Sequence, residues 1–189
     1  CHDNHTLFDR IALTAPEASE KARIRMNNLA AAFSILSQGT PFFQAGEEML
    51  RTKPDGMGGF DDNSYRAADR VNALKWDDLN KAEYQRNAAY YQGLLAFRKA
   101  HPALRLGSRK DVLAAVQTIA VDHPQATAYL IDKDIFVVFN ASYEELMISL
   151  PEGKWNLNIN EIIAGTDTIC QREDHIHVAP ISVAVLTRC

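Results

Sequence analysis

Cysteine is scarce in this 189-residue chain, which holds only Cys1, Cys170 and Cys189. The number is odd and no Cys-x-x-Cys occurs, so neither a disulfide framework nor a zinc ribbon is indicated. Free thiols are expected, and a Cys1–Cys189 bridge has no support in the sequence. Long apolar runs are missing too, and none approaches the roughly 20 residues that span a bilayer. Basic runs are absent: 20 Lys and Arg against 24 Asp and Glu leave a formal net charge of -4, with the signs interspersed. Nucleic acid and membrane surfaces are therefore poor partners. There is no low-complexity stretch, no internal repeat and no signal-peptide pattern. The opening Cys1-His2-Asp3-Asn4-His5-Thr6 reads like the middle of a chain, so the true N-terminus is expected upstream. What is present is 47% hydrophobic and 23% charged residues, the balance of a packed core. A neutral polar ligand such as a sugar fits this charge.

The texture changes at Leu106-Gly107-Ser108-Arg109-Lys110, from helices and loops to short strands. Ala22, Met26, Leu29, Phe33 and Leu36 recur at spacings of four and three and so share a helical face. Thr14, Pro16 and Glu17 supply start signals, Glu17 answering Thr14 as a capping box, and Gly39 stops the helix. The apolar run 41–46 suits a buried strand. A second helix is expected from Asn80, with Tyr84, Ala88, Tyr91 and Leu95 on one face, ending at His101-Pro102. Between them, residues 48–78 form a loop long enough to suggest function. Strands are expected at 113–121, 126–131, 135–140, 146–150, 155–159, 168–171, 175–178 and 183–186. Asp132-Lys133-Asp134 makes a hairpin connection. Such closely spaced strands predict an antiparallel sandwich.

Three blocks carry a more specific signal. Cys1-His2-Asp3-Asn4-His5-Thr6-Leu7-Phe8-Asp9 contains a His-Asp pair followed by Asn-His-Thr-Leu. Next comes Leu36-Ser37-Gln38-Gly39-Thr40-Pro41-Phe42-Phe43-Gln44-Ala45-Gly46-Glu47-Glu48. The third is Asn63-Ser64-Tyr65-Arg66-Ala67-Ala68-Asp69-Arg70-Val71-Asn72, then Trp76. In this order they resemble the last signature, seventh helix, eighth strand and eighth-strand loop of pullulanase-type debranching enzymes of the α-amylase family. The departures are Cys1 for a usual Ser, Phe8 for a common Trp, and Ala67-Ala68 for Ser-Pro.

The resemblance implies a fold of two parts: an α/β remnant of a (β/α)₈ barrel, its C-terminal quarter, at residues 1–104, and an all-β antiparallel sandwich at residues 105–189. A whole barrel needs about 250 residues, and its active site lies at the C-terminal ends of the strands. By the same resemblance Asp3 is the transition-state stabiliser and His2 binds the same sugar. The physical reason is that glycoside cleavage builds oxocarbenium charge, which a fixed carboxylate stabilises. Tyr65, Asp69 and Asn72 are further substrate-binding candidates. The family's Asp nucleophile and Glu acid match nothing here, so the chain alone is expected to be inactive. No metal or other cofactor is assigned, although calcium elsewhere in the parent enzyme fits the family. The expected partner is an α-glucan: pullulan, starch or glycogen. The apolar stripes of a barrel remnant predict poor order or self-association. With no disulfide framework and no N-terminus, the reading leans towards a bacterial cytoplasmic protein and leaves the compartment open.

Other readings stand beside these. His2, Asp3 and His5 lack the spacing of a known zinc motif and an evident fourth ligand. Asp3 alone would read as a helix cap. His175 and His177 share a strand face and read as a surface pair, while Glu47 and Glu48, adjacent on a strand, would point opposite ways. Tyr65 and Trp76 suit stacking on sugars or packing beneath the loop, and Asp69 and Asn72 suit outer subsites or loop bracing. Rival functions are an α-1,4-glucan hydrolase of the same family and a non-catalytic carbohydrate-binding or packing module.

Overall fold

The computed structural model describes residues 4–189; Cys1, His2 and Asp3 lie outside the described residues. The chain forms two compact units. One comprises Cys1–Asn27 and Phe43–Ala89, the other Asn28–Phe42 and Tyr90–Cys189.

The first unit opens with α1 (Leu7–Thr14), a helix the apolar spacing does not announce. Thr6 starts it, its Oγ1 accepting the Asp9 N–H at 3.2 Å. Thr14 therefore ends a helix instead of capping one. The cap of α2 (Glu20–Leu36) is Ser19, whose Oγ accepts the Ala22 N–H at 3.2 Å. Residues 41–46 form no strand and belong to neither sheet among the described residues. Gly46 (φ 98°) then leads into a 3₁₀ turn at Glu47–Met49. The long loop comes next, with a 3₁₀ turn at Ser64–Arg66, a short α3 (Asp69–Asn72) and a 3₁₀ helix at Trp76–Asn80.

The second unit is built on a six-stranded antiparallel sheet in the order β1-β2-β3-β8-β5-β6. Its strands are β1 (Val116–Ile119), β2 (Ala126–Ile131), β3 (Ile135–Asn140), β5 (Trp155–Ile159), β6 (Cys170–Arg172) and β8 (Ser182–Arg188). A separate pair, β4 (Leu146–Ser149) and β7 (His175–Val178), forms a two-stranded sheet. Side chains alternate along a strand, so each register row presents one face. The row Leu130–Phe136–Leu186–Leu157 crosses four strands. It shares a core with Trp155 and with Ile148, Leu150, Ile176 and Val178 from the smaller sheet and its flank. The opposite face of β3 is also buried: Phe139 stacks on Phe33 at 3.9 Å, and the Tyr129 hydroxyl donates to the Leu36 carbonyl at 3.0 Å. Burial on both faces explains why β3 reads as a continuous apolar run. At the β2–β3 hairpin Asp132 and Lys133 take φ of 49° and 63°, the two left-handed residues that match the twist of the strands.

Residues 113–115 belong to α5 (Arg109–Ala115), so the strand expected at 113–121 starts later, as β1. The Ser108 hydroxyl caps that helix by accepting the Asp111 N–H at 3.1 Å. In α4 (Ala82–Ala100) the buried positions are Asn87, Tyr90, Tyr91, Gly93, Leu94, Phe97 and Arg98. Leu95, expected inside, is 38% exposed, because the true stripe runs one residue ahead of the expected one.

Arg98 closes the end of α2. Its guanidinium donates to the carbonyls of Ile35 and Ser37, both at 2.7 Å, and to that of Gly39. These are carbonyls that a helix end leaves without partners. Arg98→Met keeps the stem and removes the donors, so we expect a loss of about 2–3 kcal/mol, the scale of bonds to a charged group. Urea unfolding followed by the fluorescence of buried Trp155, with Trp76 replaced by Phe, checks this.

Candidate functional site

The two residues expected at the centre of the site, His2 and Asp3, lie outside the described residues. The chain next to them is tightly bonded. Asn4 has a left-handed backbone, φ 86°. Its N–H donates to the Asp62 carbonyl, and its Oδ1 accepts from the Arg10 guanidinium and from the His5 N–H at 3.0 Å. Asp9 in α1 is fully buried. Its carboxylate accepts the Lys53 N–H at 2.8 Å and the Thr52 hydroxyl. The segment after the His-Asp pair thus holds both ends of residues 52–62. Inside this loop the Lys53 carbonyl accepts the Asp61 N–H at 2.8 Å, and Pro54 bridges Phe60. Asp55 Oδ1 accepts the N–H groups of Met57 at 2.7 Å and Gly59 at 2.9 Å, which holds its carboxyl below the ordinary carboxylate value. That contribution to loop order is complete above the ordinary value and is lost as pH falls through the lowered one.

Farther along, Tyr65 is 59% exposed, with the Arg66 guanidinium 5.1 Å from its ring centre. Asp69, exposed, opens α3, and Asn72 closes it. The Asn72 amide donates to the carbonyls of Ser64 at 2.7 Å and Ala67 at 3.3 Å. So Tyr65, Asp69 and Asn72 sit on one folded loop, and Asn72 braces the turn that presents Tyr65. Trp76 is 63% exposed. Arg51 ties the loop back by donating to the carbonyls of Ala45 at 3.1 Å and Asn72. A Cβ at Gly46 would lie 2.8 Å from the Arg51 Cδ and 2.9 Å from Leu74 Cδ2, so this turn requires glycine.

Glu47 and Glu48 are on a 3₁₀ turn, not a strand, and each accepts a backbone N–H: that of Gln44 at 2.7 Å and that of Gly46 at 3.0 Å. Burial raises the Glu47 pKa. Both acids hold the turn. His175 and His177 lie exposed on one face of β7, as their alternation implies, with His177 Nδ1 3.0 Å from Glu145. Among the described residues no group of three or more His, Cys, Asp or Glu is arranged to hold a metal ion, and Cys170 and Cys189 are free.

The grip of Asp9 on the loop is not visible in the sequence. Its only trace there is the Thr6-x-x-Asp9 spacing of a helix start, which gives no hint that the carboxylate reaches 44 residues away. Asp9→Asn leaves one acceptor where two bonds are made. We expect a loss of about 1–2 kcal/mol and faster amide hydrogen exchange at Lys53; unchanged exchange would contradict the grip.

No family model matches the chain. It is 33% identical over 157 residues to the pullulanase of Bacillus subtilis (strain 168), an alignment that covers 79% of this chain and 21% of the relative. It superposes on the solved pullulanase from Bacillus acidopullulyticus with a TM-score of 0.90 at 31% identity, covering 99% of this chain and 23% of that one. The chain belongs to the pullulanase family. A third pullulanase, from Paenibacillus barengoltzii and solved in complex with maltohexaose and alpha-cyclodextrin, is 34% identical with a TM-score of 0.82; the match covers 100% of this chain and 29% of that one. The chain thus spans between a fifth and a third of the length of these pullulanases. No helix among its described residues is long and apolar enough to cross a membrane.

Proposed function

We propose that this chain is the part of a starch-debranching glycoside hydrolase that completes its catalytic barrel and attaches a β-sandwich, with the division near residue 104. The reaction is retaining hydrolysis of α-1,6-glucosidic bonds in pullulan, starch or glycogen limit dextrins. The observation that carries this reading is the match to pullulanases along nearly the whole chain, with the His2-Asp3 pair in place at the start of the motif.

In this reading Asp3 faces the anomeric carbon as positive charge develops there and stabilises the transition state. His2 donates to a hydroxyl of the same sugar. Tyr65 offers a ring to an apolar sugar face, Asp69 accepts from hydroxyls farther out, and Asn72 keeps their loop in shape. The nucleophile and the acid come from barrel strands upstream, so the segment by itself is inert. No cofactor is assigned to the segment, and a calcium ion of the whole enzyme would bind outside it.

The role of Asp3 is tested in the protein that carries this segment. Asp3→Asn keeps the size and removes the charge. We expect kcat to fall about 10²- to 10³-fold, the scale of losing one preorganised electrostatic group, with maltotriose still the product from pullulan. Near-full activity would refute the role.

A further inference from the structure

We propose that residues 52–62 form a preorganised rim that meets the glucan chain, and that Met57 at its tip is a specificity-determining contact. The inference rests on the α-glucan hydrolase reading.

Ordering a loop costs about 1–2 kcal/mol of backbone entropy per residue, which packing normally offsets. This loop is ordered differently. Asp9 holds its start, the Asp62 carbonyl bonds to Asn4 at its end, and Asp55 gathers the tip through Met57 and Gly59. Gly56 and Gly58 turn it with φ of 81° and 97°. At the end of this scaffold Met57 is 89% exposed. It adds nothing to the core of its unit, so packing does not account for the order of the tip.

Position adds a second argument. Asn4 directly follows Asp3, so the loop is tied to the stretch that carries the proposed stabiliser. In barrels of this class the loops that follow the strands build the substrate site. The exposed large apolar side chains of this unit are Leu13, Met57, Tyr65 and Trp76, three of them on the one long loop. A pyranose ring has an apolar C–H face, and an exposed flexible thioether adapts to such a face without needing one fixed orientation. A neutral glucan chain therefore suits this rim, whereas an anionic ligand would meet no Lys or Arg in its tip, Asp55-Gly56-Met57-Gly58-Gly59.

The test uses the full-length protein and steady-state kinetics on pullulan and on a branched limit dextrin. Met57→Ala should lower kcat/KM about tenfold, the low end for a lost apolar contact, with most of the change in KM. Met57→Leu should restore most of the loss. The thermal midpoint should not move, because the side chain is exposed, and this separates the contact from a structural effect. Gly58→Ala, strained at its positive φ, should raise KM with Met57 intact. A wild-type protein that cleaves pullulan and a Met57→Ala variant with unaltered KM on both substrates would overturn the rim and leave the function standing. A wild-type protein that cleaves neither glucan takes both down.

Discussion

Gly93→Ala should destabilise the sheet-bearing unit by at least about 3 kcal/mol, at or beyond the top of the usual range for overpacking. Local propensity predicts the opposite, since alanine is favoured over glycine inside a helix by about 1 kcal/mol. The geometry decides the sign. A Cβ at Gly93 would lie 1.9 Å from the Ala164 carbonyl oxygen and 2.3 Å from its carbon, both main-chain atoms. That backbone has little freedom to move away. The Tyr90 hydroxyl donates to the Asn160 carbonyl at 2.9 Å, and Asn160 Oδ1 accepts the N–H groups of Ile162 and Ile163 at 2.9 and 2.8 Å. The Asn158 amide donates to the Thr166 carbonyl at 3.0 Å. The loop is fastened on both sides of the collision. Urea unfolding read through Trp155 fluorescence should show a lower midpoint with an unchanged slope. A stabilised variant would mean that α4 and Ala164 do not touch.

Asn140→Asp should cost about 3–5 kcal/mol at neutral pH, the range for an uncompensated buried charge. Asn140 is fully buried at the end of β3. Its amide donates to the carbonyls of Glu144 at 2.8 Å, Val178 at 3.2 Å and Ala179 at 3.0 Å. Its Oδ1 accepts the Ser142 N–H at 3.0 Å and the Ser142 hydroxyl at 2.7 Å. A carboxylate there would turn an oxygen towards three carbonyl oxygens. Burial and those dipoles favour the protonated acid, so its folded pKa lies above the unfolded one. With that sign, the variant is most stable below the unfolded pKa and loses stability as pH rises through the folded pKa. The deficit against wild type should therefore be smallest near pH 3, and thermal midpoints at pH 3 and pH 7 measure it.

The sheet-bearing unit is largely legible in the sequence because its strands obey a short-range rule. Residues 155–159 and 175–178 alternate apolar with polar, and 126–131 and 135–140 are short runs rich in apolar residues; they form β5, β7, β2 and β3 with the same bounds. Sequence and structure part where a polar side chain overrides the apolar pattern. Ser108 turns residues 109–115 into a helix, and Ser19 starts α2 five residues after Thr14. The face of α4 differs from the apolar pattern because Asn87 and Arg98, both polar, lie in its buried stripe. At the candidate site the residue types are legible and their grouping is not. Tyr65, Asp69 and Asn72 stand out within their block, but the pairing of Asp9 with Thr52 and Lys53 joins positions more than 40 residues apart. No local spacing encodes such a contact.

The most direct test is proton NMR of pullulan during hydrolysis by the protein that carries this segment. Loss of the α-1,6 anomeric signal, with new reducing ends appearing first as the α-anomer, is the predicted result. Loss of α-1,4 signals instead, or first appearance of the β-anomer, would contradict retaining hydrolysis of branch points.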